Sequence, residues 1–439
     1  MTGGLARVLR LPDLVFIVIG TVIGSGIFLV PGGVLRTSGG DVGIALLVWL
    51  VGGVLSLLGA LTYGELGAMD PQAGGLYVYL RDTFGRLPAF LYGWALFFVI
   101  GSGSVATLAA AFARYMQEFV PLGAFAAKAV AVGMIALVAW VNVRGTRRGA
   151  DVQNWSTGIK VGALLLVSVL VLVAGRGWSG TDVHVFTTPV SRNLLSGVGV
   201  AVVSVLWAYE GWHYVTFSAG ETVDPQRTFA RGIVMGTVAV VFVYLLANIG
   251  YLAALGPGGV MQSTRVAADA VSGLFGGAWG GLVTIPILVS IFGAANGIAL
   301  TEPRVFYAMS KDGLFFKKLA EVHPRFGTPA FAIIASAAWS MVLAASGTFE
   351  QLLTYVVFAG WAFYALAAAS VFVYRRRRPD APRPFRVPGY PVTPLVFIAV
   401  SLAIVVNTLL TQTTQALLGL AIILLGTPAY WWWRRTPPS

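Results

Sequence analysis

The amino-acid sequence predicts an all-α polytopic membrane protein that forms a single domain. Its 439 residues are 57% hydrophobic and only 10% charged, and the mean hydropathy is +0.82, whereas soluble domains usually carry about 25% charged residues. Apolar runs of roughly 20 residues, the length of a membrane-spanning helix, recur along the whole chain. They leave no stretch large enough for a separate soluble domain.

The apolar runs between charged or Pro/Gly-rich breaks predict twelve spanning helices. In chain order they are residues 13–35, 43–68, 87–117, 124–142, 153–175, 193–218, 229–255, 277–308, 328–346, 351–374, 392–411 and 413–433. The first run follows two arginines, as a signal peptide does, but it is long and lacks a small-residue cleavage site. We therefore expect it to be retained as the first span.

An even number of spans places both termini on one side, and the basic residues indicate which side. Cytoplasmic segments of membrane proteins are rich in Lys and Arg. With a cytoplasmic N-terminus, most of the 29 Lys and Arg residues fall in cytoplasmic segments, above all in the run 375–386. The opposite segments hold only Arg36, Arg114, Lys128, Arg176, Arg192 and Arg265. We expect both termini to be cytoplasmic, in the inner (plasma) membrane of the cell.

This topology also explains the net charge of +12, which in a soluble protein would suggest a nucleic-acid partner. We therefore expect the chain to lie in a lipid bilayer and not to bind nucleic acid. The run 375–386 could bind lipid headgroups, although topology alone accounts for it.

The residue types exclude several functions. The chain has no cysteine, so a disulfide, a thiolate metal site and a cysteine nucleophile are excluded. The predicted spans contain no HExxH motif, no histidine cluster and no pair of acids, which argues against an enzyme and a metal. No continuous polar stripe or ring of charges indicates a channel. We expect no cofactor.

The first span is interrupted near its middle. Gly20 and Gly24 form a small-xxx-small pair that would let another helix pack closely. Close packing needs one stripe of small residues, however, and Gly24, Ser25, Gly26 and the following Pro-Gly-Gly occupy several faces. A local break in the helix fits this pattern better.

The sixth span is interrupted as well, by Glu210, Gly211 and His213 among bulky apolar residues. An acid at the centre of a span costs about 2.5 to 3.5 kcal/mol on insertion scales, so it usually faces a cavity or a partner. Five helices separate the two interruptions, and an odd offset inverts the second unit in the membrane. Paired interruptions in inverted halves are typical of the central site of a secondary transporter.

Such breaks have a specific chemistry. Unwinding frees backbone N–H and C=O groups, and the N-terminal end of a half-helix carries partial positive charge that suits a carboxylate. Freed carbonyls suit a cation or an ammonium. Together they match the zwitterionic head of an α-amino acid.

Three blocks, "GTVIGSGIFLVPGGVL" (20–35), "GALTYGELGAMDPQAGGLYVYLRDTFGRLPAFLYGW" (59–94) and "LWAYEGWHYVTFSAGETVDP" (206–225), carry a resemblance over nearly the whole chain. In this order they resemble the L-type amino-acid transporters of the amino acid–polyamine–organocation superfamily. The resemblance implies inverted five-helix repeats over residues 13–175 and 193–374, with extra helices over 392–433, in one domain of residues 1–439. It implies alternating access to a site at the membrane midplane.

The resemblance also implies which residues bind substrate. The carboxylate is expected at the first break, formed by Ile23, Gly24, Ser25, Gly26 and Ile27. The ammonium is expected at carbonyls of the second break, formed by Trp207, Ala208, Tyr209, Glu210 and Gly211. Trp207 stands where the family usually has a phenylalanine that closes over the substrate, and Tyr244 matches a family tyrosine near it.

Lys160 is the one basic residue that is assigned to neither the cytoplasmic nor the opposite segments, and it falls within the fifth span. If its helix starts near residue 152, it lies about 12 Å along the axis. Its ammonium could snorkel back to the cytoplasmic surface. Alternatively, as the resemblance implies, it takes the place of the sodium ion that sodium-coupled relatives hold between the first and eighth helices, and serves coupling.

Other polar residues leave two interpretations open. Glu210 either is bonded within the unwound segment or acts on substrate or protons. His213 and Asn296 are candidate pocket residues. The alternatives are a core histidine with satisfied hydrogen bonds for His213 and plain interhelical bonding for Asn296. Glu65 and Asp70 close the second span, where we expect them simply to be solvated.

The sequence therefore predicts sodium-independent transport of neutral L-amino acids, as an exchanger. The alternatives are a proton-coupled symporter, with Lys160 or Glu210 as the proton site, and a transporter of cationic amino acids or amines. Animal members of the resembled family pair with a heavy subunit through a cysteine, which this chain lacks. We expect it to work as a single chain.

Overall fold

The computed structural model describes residues 5–175, 177, 183–346, 349–411 and 413–435, which form α-helices joined by short connections. The helices of the first half, in chain order, are α1 Leu11–Val22, α2 Gly26–Leu29, α3 Pro31–Thr37, α4 Val42–Met69, α5 Leu76–Phe84, α6 Arg86–Ala95, α7 Gly101–Met116, α8 Ala124–Val143 and α9 Thr146–Ala174. A π-helical turn, Leu96–Ile100, joins α6 to α7 without a gap.

The second half of the chain is likewise a succession of α-helices. Its helices are α10 Arg192–Ala208, α11 Pro225–Gln262, α12 Val266–Phe275, α13 Gly277–Thr301, α14 Pro303–Lys311, α15 Ala330–Ser346, α16 Phe349–Arg377, α17 Val392–Thr411 and α18 Thr413–Arg435. Two 3-10 segments, Tyr214–Glu221 and Lys317–Ala320, lie between them. Within the described ranges, the β pairing is confined to one bridge between Leu9 and Thr222.

The all-α class predicted from the sequence is confirmed, and every predicted span overlaps a helix. Among the described helices, nine are long and apolar enough to cross a membrane. The chain is thus a multi-pass membrane protein. Arg176, which the sequence places on the outer side, lies outside the described residues.

Several predicted boundaries were wrong. Helix α9 begins at Thr146 rather than at residue 153, because the polar turn at its start is already helical. Helix α11 continues past the predicted end at 255 through a kink at Gly256, where φ is 66°. The short helices α5 and α12 were not predicted, since neither is long enough to give a membrane-length apolar run.

Ion pairs join segments that the sequence places on the same side. At the predicted cytoplasmic end, Arg81 on α5 pairs with Asp312 after α14 at 2.8 Å. At the opposite end, Arg265 pairs with Glu118. Each pair joins two connections that the charge pattern assigns to the same side.

The expectation that Glu65 is simply solvated was wrong. Its side chain is buried near the end of α4. Its carboxylate accepts hydrogen bonds from Arg375 Nε and Nη2 at 2.8 and 2.6 Å and from the Val387 N–H at 2.7 Å. Asp70, also buried, accepts a hydrogen bond from the Tyr374 hydroxyl at 3.1 Å. These acids anchor α4 to α16.

Candidate functional site

The first predicted break is present. Helix α1 ends at Val22, residues 23–25 are non-helical, and α2 starts at Gly26. Within the described part of the chain, no backbone carbonyl accepts from the N–H groups of Ser25, Gly26 or Ile27. These three donors belong to the start of a helical segment, where partial positive charge accumulates.

The second predicted break is present too. Helix α10 ends at Ala208, and the chain turns through residues 209–213 into the 3-10 segment Tyr214–Glu221. At the turn, Gly211 has a φ of 123°, and a Cβ there would lie 2.8 Å from the carbonyl carbon of Thr21. The later part of this predicted span is therefore 3-10 rather than α-helical.

The two breaks contact one another directly. A Cβ on Gly26 would lie 2.7 Å from the Cα of Ala208. The Thr21 hydroxyl donates to the carbonyl of Gly211 at 2.9 Å. Residues far apart in the chain thus form one unwound region at the centre of the bundle.

Tyr244 on α11 ties this region together. Its hydroxyl lies 3.0 Å from the carbonyl oxygen of Val22 and 3.0 Å from that of Ala208, the last residues of α1 and α10. One O–H shared between two carbonyls holds both broken ends at a fixed separation. Tyr244 acts here from behind the breaks and does not line the cavity between them.

A small cavity lies between the breaks. Its volume is about 30 Å³, which is enough to hold water. Its lining residues are Thr21, Val22, Gly24, Ser25, Gly26, Ser104, Leu108, Trp207, Ala208, Glu210, Tyr214 and Ile298. The cavity is small in this conformation, which we call the closed conformation, so a larger ligand requires the surrounding helices to separate.

Some of the residues expected at the breaks line the cavity, and the others pack behind its wall. Those at the cavity wall are Gly24, Ser25, Gly26, Trp207, Ala208 and Glu210. Those that pack behind it are Ile23, Ile27, Tyr209 and Gly211, all buried. The Ser25 hydroxyl is a buried polar group of this wall without a hydrogen-bond partner in the described structure.

Lys160 reaches the first break rather than the membrane surface. Its ammonium donates to the carbonyls of Gly20 and Ile23 at 2.8 Å each and to the carbonyl of Ser290 on α13 at 2.9 Å. Since α9 starts early, Lys160 lies about 21 Å along the helix axis rather than 12 Å. Ser290 completes the cluster, because its hydroxyl donates toward the carbonyls of Ile23 and Gly24 at 2.9 and 3.1 Å.

Glu210 occupies the other wall. Its carboxylate accepts a hydrogen bond from the Tyr364 hydroxyl on α16, and its Oε1 lies 3.9 Å from His213 Nε2. The His213 ring stacks on Tyr214 at 4.6 Å between centroids. Both ring nitrogens of this buried histidine lack hydrogen-bond partners within the described ranges.

Neither His213 nor Asn296 lines the cavity, so the structure places both candidates outside the pocket. Asn296 faces α8 and α9 instead: its amide donates to the Gly149 carbonyl and Gln153 Oε1 at 3.1 and 3.0 Å. Its oxygen accepts from the Asn142 amide at 2.8 Å. The side chain serves interhelical bonding, the alternative that the sequence left open.

Sequence reasoning missed the residues that support the site from distant helices, notably Ser290 and Tyr364. A hydroxyl in an apolar helix gives no signal of its partner. It also missed a buried ion pair between Arg304 and Glu221 at 2.6 Å, which is signalled by two charges beside apolar runs. Among the described residues, no group of three His, Asp or Glu is placed to hold a metal.

Comparisons with known proteins show which proteins this chain is similar to. The family model for amino acid permeases matches residues 9–428. The serine/threonine exchanger SteT of Bacillus subtilis is 33% identical over 440 residues, covering 100% of this chain and 99% of that protein. The mouse large neutral amino acids transporter small subunit 2 is 32% identical, covering 96% and 80%. The human cystine/glutamate transporter is 33% identical, covering 95% and 83%.

Proposed function

We propose that this chain, which belongs to the amino acid permease family, exchanges small neutral L-amino acids across a membrane by alternating access. The observation that carries the proposal is the pair of helix breaks that meet around one cavity, with Gly26 against Ala208. Non-helical backbone at such depth is tolerated where it is buried in protein or lines a cavity. Here it does both.

The free N–H groups of Ser25, Gly26 and Ile27 would receive the substrate carboxylate. The ammonium would face the carbonyls of the second break. The carbonyl of Ala208 accepts a hydrogen bond from the Tyr244 hydroxyl, and a carbonyl oxygen has two lone pairs. This division places the zwitterion across the contact between the two breaks.

Lys160 supports sodium independence. Three carbonyl oxygens converge on its ammonium, as carbonyls converge on a bound cation. A covalently attached positive charge would satisfy the carbonyls of the unwound segment throughout the cycle. No dissolved sodium ion would then be needed to assemble the site.

Two observations favour a small substrate. The cavity is small and is lined by the large side chains of Trp207 and Leu108, and Thr21, Ser25 and Ser104 add hydroxyl-bearing residues to its wall. The related SteT protein is named a serine/threonine exchanger. Serine, threonine and alanine are therefore the first substrates to test.

The same proposal includes the architecture. Twelve spans would be arranged as two inverted repeats, residues 13–175 and 193–374, with both termini in the cytoplasm of the cell and the protein in its plasma membrane. The chain would work alone, since it lacks a cysteine and SteT matches it over nearly its full length.

The test is counterflow into proteoliposomes. Vesicles loaded with unlabelled serine should take up labelled serine without sodium, and unloaded vesicles should not. Failure of all twenty amino acids to exchange would contradict the proposal. Concentrative uptake into unloaded vesicles, driven by a proton gradient, would replace exchange with proton-coupled symport.

A further inference from the structure

Besides Glu210, a second acid, Glu302, is buried close to the cavity. Glu302 connects α13 to α14, and its side chain is 1% exposed. Its N–H donates to the carbonyl of Ile298 at 2.8 Å, and Ile298 lines the cavity. The acid therefore lies one helical turn, about 6 Å, beyond the cavity wall, toward the end of the bundle where Arg304 pairs with Glu221.

The carboxyl group of Glu302 is fitted against Gly101. A Cβ at Gly101 would lie 2.2 Å from its carboxyl carbon and 2.3 and 2.5 Å from its two oxygens. Gly101 directly follows the π-helical turn Leu96–Ile100, and such turns are frequent at functional sites. The absence of a side chain at this one position makes room for the acid.

Among the residues that the structure describes, none with a positive charge is paired with Glu302. It forms no ion pair within the described part of the chain, where Arg304 directs Nε and Nη2 to Glu221 and Thr146. The hydroxyls of Tyr92 on α6 and Tyr214 on the 3-10 segment interact electrostatically with Glu302.

The polar atoms around Glu302 are also incompletely bonded. In the described structure, its Oε1 and the hydroxyl of Tyr92 are buried without hydrogen-bond partners. An ionised carboxylate is costly in such a place, because nothing replaces its hydration. A neutral carboxylic acid tolerates it far better.

We propose that Glu302 is a proton-binding site that is occupied in the closed conformation and empties when the path from the cavity to the Arg304 end opens. Tyr214 and Ile298, which both line the cavity, separate Glu302 from the substrate. Movement of the 3-10 segment away from α13 would admit water. The O–H bond of the carboxyl group then breaks, the proton passes to water, and the hydrated carboxylate remains.

The coupling is reciprocal: if opening releases a proton, raising the pH favours opening. This rests on the proposed exchange. In the pH range where Glu302 titrates, the equilibrium constant for opening should rise by up to about tenfold per pH unit. Counterflow at equal pH on both sides should therefore rise severalfold between pH 6 and pH 8 in the wild type.

The first measurement is the pH profile of counterflow. Glu302→Gln should give a flat profile, because the amide cannot release a proton. Glu321→Gln, which removes an exposed acid after Lys317–Ala320, should follow the wild type. A Glu302→Gln profile as steep as that of the wild type would overturn the proposal.

The second measurement does not require transport. At neutral pH the infrared difference spectrum of wild type minus Glu302→Gln should contain the C=O stretching band of a protonated carboxylic acid. Glu302→Asp, a fallback if the glutamine variant does not fold, should shift that band. An unchanged band would overturn the proposal, whereas absence of amino-acid exchange with the band present would refute only the proposed function.

Discussion

The ammonium nitrogen of Lys160 lies 2.8 Å from the carbonyl oxygen of Ile23, the first residue after α1 loses its helical geometry. A charge on one helix therefore satisfies the backbone that another helix leaves open. This contact ties the unwound segment to α9, and the Ser290 carbonyl extends the tie to α13. The conformation of the break depends on side chains that lie outside it.

Lys160→Ala should abolish exchange while leaving the protein in the membrane. The change removes the ammonium from three buried carbonyls, of which that of Ile23 keeps the Ser290 hydroxyl as a donor. An unsatisfied buried group costs about 1 to 3 kcal/mol. We expect the initial counterflow rate to fall about 100-fold. Lys128→Ala, at an exposed lysine of α8, is the control. A wild-type rate in Lys160→Ala would refute the role of the ammonium.

Tyr244→Phe should slow exchange by about five- to tenfold, which corresponds to loss of one hydrogen bond worth about 1 kcal/mol. The variant keeps the ring but releases the Val22 and Ala208 carbonyls. Tyr251→Phe is a matched control on the same helix, because the described structure gives the buried Tyr251 hydroxyl no partner. Equal rates in the two variants would show that the shared O–H does not position the breaks.

Gly26→Ala should inactivate exchange by forcing the breaks apart. The new Cβ would lie 2.7 Å from both the Cα and the Cβ of Ala208, closer than carbon atoms approach without repulsion. Gly33→Ala is the control, since its Cβ would meet nothing nearer than an Arg36 nitrogen at 3.8 Å. Serine binding, followed by thermal shift, should be lost in Gly26→Ala and retained in Gly33→Ala.

Glu221→Gln should destabilise the protein strongly. Glu221 and Arg304 are 0% and 1% exposed and lie 2.6 Å apart, and breaking a buried pair from one side costs about 3 to 5 kcal/mol. Replacing both residues by methionine should recover much of the loss, because no charge is then left unpaired. The melting temperature in detergent tests both variants.

The exposed pair of Arg147 and Asp151 on α9 is the control for the Glu221 and Arg304 variants. Asp151→Asn should change the free energy of unfolding by no more than about 0.5 kcal/mol. If the methionine pair is no more stable than Glu221→Gln, desolvation of an unpaired charge does not explain the loss.

Asp41 should make stability depend on acid pH. Burial by itself would raise the pKa of this carboxylate, but N–H groups of Ile44, Phe186, Thr187 and Thr188 donate to it at 2.9 to 3.1 Å and hold the pKa at about 2. Its contribution, about 2 kcal/mol, is therefore present above the unfolded pKa of 3.8 and is lost as the pH falls toward 2.

Melting of Asp41→Asn against wild type checks this dependence. The difference in melting temperature between wild type and Asp41→Asn should be constant above about pH 5 and should become smaller as the solution becomes more acidic. Asp380→Asn, at an exposed position after α16, should show no gap at any pH. A gap for Asp41→Asn that persists unchanged at pH 3 would contradict the hydrogen-bond explanation.

Much of the candidate site was visible in the sequence because it departs from the rules that surround it. Gly24-Ser25-Gly26 and Glu210-Gly211 are conspicuous in apolar helices, where glycine weakens the backbone and an acid is costly. Lys160 is conspicuous for the same reason. These local signals indicated two unwound segments and a buried charge, and the structure places all three in one region.

The sequence by itself determined the membrane class, the helices and the positions of both breaks, because hydropathy, glycine and charge act within a few residues. Only the tertiary structure decided what each polar group meets. Tyr244 and Ser290 reach the breaks, Glu302 lies against Gly101, and Asn296 turns away from the cavity. These partners are set by the packing of helices distant in the chain, and no local pattern encodes that packing.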